Sequence, residues 1–241
     1  CNTFQADVCW KNIRTGLQGS AKSALSLVAT DTLLNDDCEI LVSGSDANEA
    51  VNKLSILLKN LPVYEVTSED ETLDISGYLP RSLRETQVSF VQGSRISGGV
   101  AIARPVIVKS LSFDEIMALA PTKTNDIALE KKLLAEGLES LKQIKLSALE
   151  NRVGVEHDII QAHLSIITDS TFQDAINHFI ENGENNWRAT VLAAMDFCEI
   201  LNSSSSKYIK ERVLDVLDIT SQLLTTLYGD DALPVNSLEL Q

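Results

Sequence analysis

From residue 126 to residue 229 apolar side chains recur at helical spacing, and this run constrains the fold more than any other feature of the chain. Ile127, Leu134, Leu138, Leu141 and Ala148 follow one another at intervals of seven, four, three and seven, which is one face of a helix over 126–150. A second helix, about 155–167, presents Ile159, Ile160, His163, Leu164 and Ile167. Thr168-Asp169-Ser170 interrupts it, and the S-x-x-Q pair Ser170 and Gln173 predicts a capping box that restarts a helix to Glu181, ended by Gly183. Trp187–Leu201 carries Val191, Ala194, Cys198 and Leu201 on one side. After the Ser203–Ser206 break, Tyr208–Tyr228 turns Ile209, Val213, Val216, Leu223 and Leu227 inward and stops at Gly229. Amphipathic helices joined by short connections bury their stripes on one another, so this part is predicted to be a helical bundle.

The first 61 residues read differently. Phe4, Ala6, Val8 and Trp10 alternate with polar neighbours, the period-two mark of a half-buried strand, and Ile13–Leu17 is the candidate return strand. Ser20-Ala-Lys-Ser23 marks a helix start with Ser20 as N-cap and Leu25 and Val28 inward. Glu39–Ser43 is a third strand closed by Gly44, and Ser45 or Asp46 caps a last helix with Ala50, Leu54, Leu57 or Leu58, and Leu61 inward, ended by Pro62. Strand, strand, short helix, strand, helix is part of an α+β open-faced sandwich. Residues 62–94 have linker composition. In Arg95–Val108, Gly98-Gly99 permits a tight turn, and Val100, Ile102, Val106 and Val108 suit a buried strand. Residues 109–125 read as a connector with a helical turn or two at Phe113–Ala120.

The formal net charge is −14, divided as −6 over residues 1–94 and −8 over 95–241. Such a chain is a poor binder of phosphate backbones, which argues against nucleic acid and for a protein partner or simple solubility. Four cysteines without regular spacing point to a reduced, cytoplasmic setting, and no apolar run suits membrane insertion. His157 and His163 are six apart and lack the i,i+4 spacing of a helical metal site. No glycine-rich phosphate loop and no local nucleophile signature occurs, so the expectation is no catalytic residue, no cofactor and no metal within the chain.

Three segments carry a family likeness. Ser97-Gly-Gly-Val-Ala-Ile-Ala103, Gln161-Ala-His-Leu-Ser-Ile-Ile-Thr-Asp169 and Tyr208-Ile-Lys-Glu-Arg-Val-Leu-Asp-Val-Leu-Asp-Ile219 resemble the opening strand, the helix-kink-helix motif and a helix of Enzyme I of the phosphoenolpyruvate-dependent phosphotransferase system. Residues 4–61 resemble the carboxy-terminal two thirds of HPr, its small phosphocarrier, through Ser20–Ser23, Glu39–Ser43 and Gly44–Ala50. HPr-like followed by Enzyme-I-like is the order of multiphosphoryl transfer proteins. The resemblance implies a partial HPr-like domain (1–61), a linker (62–94), the first strand and connector of a truncated α/β domain (95–125), a helical carrier-docking domain (126–229) and a truncated tail (230–241). The strand at 100–108 is then expected to have little to pair with. Neither the Gly-Leu-His-x-Arg-Pro of HPr nor the Gly-Gly-x-x-Ser-His-x-Ala of Enzyme I occurs, so the chain is expected to be a fragment without the relay histidines.

The likeness implies partners: an HPr or HPr-like carrier domain and Enzyme I, with dihydroxyacetone kinase subunits in view because domain order and divergence favour the phosphotransferase subunit of that kinase over sugar-specific fusions. A non-catalytic interaction module is the reading from another class. The likeness to Enzyme I also implies docking contacts at His163, Ile166, Phe172 and Arg212. From the residues alone, His163 is a core or boundary histidine, and Arg212 pairs with Tyr208, Asp215 or Asp218. Ser23 matches a serine that is a regulatory phosphorylation site in some bacteria, while the residues by themselves make it a cap.

Overall fold

The computed structural model describes residues 1, 3–60, 102–103, 107–108, 111–122, 126–150, 152–204, 206–234 and 237–238. The 62–94 linker, Leu61 and the Arg95–Ala101 motif lie outside the described residues. Strand β1 (Asp7–Asn12) is central in an antiparallel sheet of order β2-β1-β3, with β2 at Gln18–Ser20 and β3 at Cys38–Ser43. Val8 pairs with Val42 and Trp10 with Ile40 in register, placing these apolar residues on one face, while Leu41 remains half exposed on the other. Helices α1 (Ala24–Val28) and α2 (Ala47–Lys59) complete this half.

Three local expectations are corrected here. The return strand is Gln18–Ser20, and residues 13–17 form the turn, with Gly16 at φ +73°. Asn12 dictates that turn: its side-chain oxygen accepts from the Arg14 and Thr15 amides. Ser20 ends β2, and the N-cap of α1 is Ser23, whose hydroxyl accepts from the Ser26 amide at 2.9 Å. On α2, Ala50 and Leu54 are buried, but Leu57 and Leu58 are 56% and 40% exposed, so burial stops after two turns. Asp46 begins α2, yet its carboxylate is committed to the Gln5 and Ala6 amides at 2.8 and 2.6 Å and ties the two segments together.

The helical half contains α3 (Phe113–Ala118), α4 (Ile127–Leu149), α5 (Val155–Ile167), α6 (Ser170–Glu181), α7 (Asn186–Ser203) and α8 (Lys207–Tyr228). A reciprocal Ser112–Glu115 capping box starts α3, and Gly229, at φ +95°, follows α8. Leu134, Leu138, Leu141, Phe172, Ile176, Ala194, Val216 and Leu223 close the main core. A smaller cluster of Ile116, Trp187, Val191 and Leu224 fixes α3 on the bundle, with the Trp187 indole N–H donating to the Ile116 carbonyl at 2.8 Å. Two predicted stripe positions differ. Ile127 and Ile159 are 43% and 47% exposed, because each lies in the opening turns of its helix, away from the shared core.

The predicted Ser170–Gln173 capping box does not form. Asp169 is the N-cap of α6, and the Gln173 side-chain Nε2 instead donates to the Ile167 carbonyl at 2.7 Å. An ionised carboxylate is a strong cap, and it leaves Ser170 as the first helical residue. Of the predicted 100–108 strand, Ile102, Ala103 and Ile107–Val108 lie among the described residues: Ile102 is fully exposed and outside any strand, and Ile107–Val108 (β4) pairs antiparallel with Ser237–Leu238 (β5) in the tail. The fold is thus a small α+β sandwich followed by a helical bundle.

Candidate functional site

The two halves meet at α1. A five-residue helix cannot satisfy its own first amides, so they need outside acceptors. Ser23 serves the Ser26 amide. The Leu25 amide is served from the other half of the chain: Asp169 Oδ2 accepts from it at 3.0 Å and from the Ser23 hydroxyl at 2.8 Å. The second oxygen, Asp169 Oδ1, accepts from the Thr171 amide at 2.9 Å and more loosely from Phe172 at 3.4 Å. One carboxylate therefore caps two helices from different parts of the sequence. Asp169 is 3% exposed, and these bonds offset the cost of burying its charge.

Around this cap the contact is apolar. Leu25, 5% exposed, belongs to the same core cluster as Ile166 and Phe172, and Val28 packs against that cluster. Burial of one leucine side chain contributes about 1.5–3 kcal/mol. Beyond the far end of α1 a second clasp closes. Asp31, at φ +50°, accepts from the hydroxyl of Ser204, the residue that caps α7. Arg14 steadies this carboxylate at 3.4 Å and binds Asp36 at 2.7 Å, and the Arg14 hydrogen bond holds the Asp36 carboxyl down at about 2.

The residues expected to dock a carrier separate into three environments. Ile166 and Phe172 lie beneath α1, and Phe172 has no exposed surface, stacking edge-on against Phe197 at 5.8 Å. A fully buried ring is part of the bundle's packing, so Phe172 is not a contact that can be trimmed without cost to the bundle. Arg212 pairs with Asp215 on its own helix at 2.8 Å. His163 is buried at 5% exposure, with Nδ1 3.2 Å from the Lys145 ammonium and Nε2 3.5 Å from Asp218. Because an ammonium only donates, Nδ1 accepts, and the ring is neutral with its proton on Nε2. Burial and then the Lys145 charge push the His163 pKa down, against opposing pulls from Asp218 and Asp215. Burial likewise lowers the Lys145 pKa, against a smaller opposing pull from Asp218. His163 lines a groove of about 740 Å³ with Ile159, Leu214, Asp218 and Leu233. Among the described residues no cluster of His, Cys, Asp and Glu could hold a metal ion, and no helix is long and apolar enough to cross a membrane.

The family model "PEP-utilising enzyme, N-terminal" matches residues 92–212, and the model "PTS HPr component phosphorylation site" matches residues 1–60. The chain belongs to the PEP-utilising enzyme N-terminal family. It carries an HPr segment ahead of that domain, so α1 is an HPr element and Asp169 belongs to the PEP-utiliser bundle. Multiphosphoryl transfer protein 2 of Escherichia coli K12 is 34% identical over 97% of this chain and 28% of its own length. The multiphosphoryl transfer protein of Escherichia coli O6:H1 is 30% identical over 100% and 28%. The phosphoenolpyruvate-protein phosphotransferase of Staphylococcus epidermidis is 31% identical over 61% and 26%. The chain thus spans under a third of the length of these relatives. A solved N-terminal domain of Enzyme 1 - Nitrogen aligns at 23% identity and TM-score 0.44, covering 49% of this chain and 51% of that one.

Ser23, a predicted site residue, lies at the contact between the halves and makes a direct polar bond across it. Asp169, Asp31 and Ser204 were missed as site residues. The Asp-Ser-Thr series at 169–171 contains three good caps in a row, and only the carboxylate can serve two helix starts at once.

Proposed function

We propose that this chain is the carrier and carrier-docking portion of a cytoplasmic phosphotransferase-system protein that relays phosphoryl groups from phosphoenolpyruvate through phosphohistidines. The observation that carries this reading is the seating of α1 of the HPr segment on α5 and α6, with Ser23 and Leu25 held by Asp169. A relay of this kind needs a carrier positioned against the domain that charges it, since the phosphoryl group moves only between groups in contact. The proposed division is a carrier portion over 1–61, a linker over 62–94, the opening of an α/β domain over 95–125, a docking bundle over 126–229 and a tail over 230–241.

The chain's own histidines support a docking rather than a nucleophilic role for this portion. His163 is buried between Lys145 and Asp218, His157 faces Asp158 at 3.4 Å, and His178 is bonded to Asn182 at 3.1 Å. The finer reading, the phosphotransferase subunit of dihydroxyacetone kinase, rests on domain order and divergence. The names of the relatives above support the broader multiphosphoryl transfer protein, whose acceptor is then a carbohydrate. The test is to incubate the full-length gene product with labelled phosphoenolpyruvate, Enzyme I and HPr. Acid-labile label on the protein is expected, and its absence there while Enzyme I and HPr are labelled refutes the relay.

A further inference from the structure

We infer that the bundle face formed by α5 and α6 is reserved for the chain's own HPr segment, and that this occupancy shuts out a free carrier protein. The inference rests on the docking reading above and goes beyond it, because a docking face open to any carrier would fit that reading equally well.

Three observations carry it. Ile166 and Phe172 on that face are 7% and 0% exposed, and from outside the bundle Leu25 is buried in their cluster and Val28 packs against it. All the acceptor capacity that Asp169 directs at α1 is in use, with Oδ2 taken by Ser23 and Leu25. A free carrier would therefore have to displace α1, not merely sit beside it. The far clasp, Ser204 to Asp31, must open as well if α1 is to leave.

Tethering multiplies the effect of these few contacts. Covalent linkage in one chain gives an attached partner an effective concentration on the order of 1 mM. If the attached segment's own intrinsic affinity for the face is about 10 μM, its occupancy raises the apparent Kd of any competitor roughly a hundredfold. A modest contact thus suffices to make the relay choose its own carrier.

The test uses the whole chain and isotope-labelled HPr of the phosphotransferase system as the probe. Ser23→Asp keeps a residue able to cap α1 but sets a second carboxylate against Asp169, and Leu25→Glu places a charge in the apolar contact. The native chain should leave the HPr spectrum unchanged at concentrations where both variants shift it, with at least a tenfold lower Kd. Circular dichroism and the β1–β3 amide signals report that each variant remains folded, and if one fails this check the other decides. Equal Kd for native and opened chains overturns exclusion while keeping the docking reading. No binding by folded, opened variants overturns the docking reading and the inference with it.

Discussion

Asp169→Asn is the most discriminating single change. The native carboxylate offers acceptors on both sides, Oδ1 to the Thr171 and Phe172 amides and Oδ2 to the Ser23 hydroxyl and the Leu25 amide. An asparagine has one acceptor oxygen and one donor group, so it cannot face donors on both sides. If its oxygen caps α6, where asparagine is as good as aspartate, the NH₂ points at the Leu25 amide and two charge-assisted bonds across the contact are lost. The Ser23 hydroxyl can rotate to accept, but the Leu25 amide is left without a partner. Leaving one buried donor unmet costs about 1–3 kcal/mol, so the docked state should lose roughly 5- to 150-fold in its equilibrium. Reversing the amide restores the Leu25 bond and sacrifices the α6 cap, at about 0.5–2 kcal/mol of bundle stability. The assay is hydrogen exchange read amide by amide, with urea unfolding measured in parallel. The Leu25 amide should exchange at least fivefold faster in the variant while amides in the middle of α7 keep their protection. Unchanged Leu25 exchange together with unchanged urea stability refutes the double-cap argument.

Other outcomes follow from the same geometry. Phe172→Ala should destabilise the bundle by about 3–5 kcal/mol in chemical denaturation, because a fully buried ring leaves a cavity. His163 has a folded-state pKa below its unfolded value, so its contribution is present above the ordinary histidine pKa near 6.5 and is lost as pH falls through that value toward the folded one. Native protein should therefore lose stability on acidification below about pH 6.5 more steeply than His163→Gln, as read from unfolding midpoints over that range. Cys198 is buried, and burial pushes its thiol up to about 12, so a thiol reagent at neutral pH should modify exposed Cys1 and spare Cys198 until the bundle unfolds.

Much of the bundle is legible in the sequence because its signals are internal to each helix. The stripe Leu134, Leu138, Leu141 and the stop at Gly229 depend only on periodicity and backbone freedom, and the structure buries the first and places the second after α8. The ends of elements are less legible because several residues offer the same local chemistry. Ser20 and Ser23 both suit an N-cap, and the choice falls to Ser23 because Ser20 is held in β2 opposite Cys9. Ser170 loses to Asp169 for a reason of the same kind. Asp169 gains α1 as a second client from 144 to 146 residues away, and nothing in the window around it records that.

The docking set shows the limit most plainly. Ile166 and Phe172 lie on the inner side of α5 and α6, where a pattern alone cannot say whether an apolar residue faces its own bundle or an incoming element. Here Leu25 joins them, so the two roles meet on one patch of surface. The polar clasps are harder still to anticipate. A serine at the end of a helix and an aspartate in a turn read as surface residues until Ser204 and Asp31 are brought together across 173 positions. Tertiary complementarity between halves is therefore where the functional information of this chain lies. A perturbation chosen from local pattern alone, such as truncating Phe172, disturbs the bundle's packing and the contact with Leu25 together. One chosen from the contact, such as Asp169→Asn, separates them, because its cap on α6 can be kept while its bonds to α1 are lost.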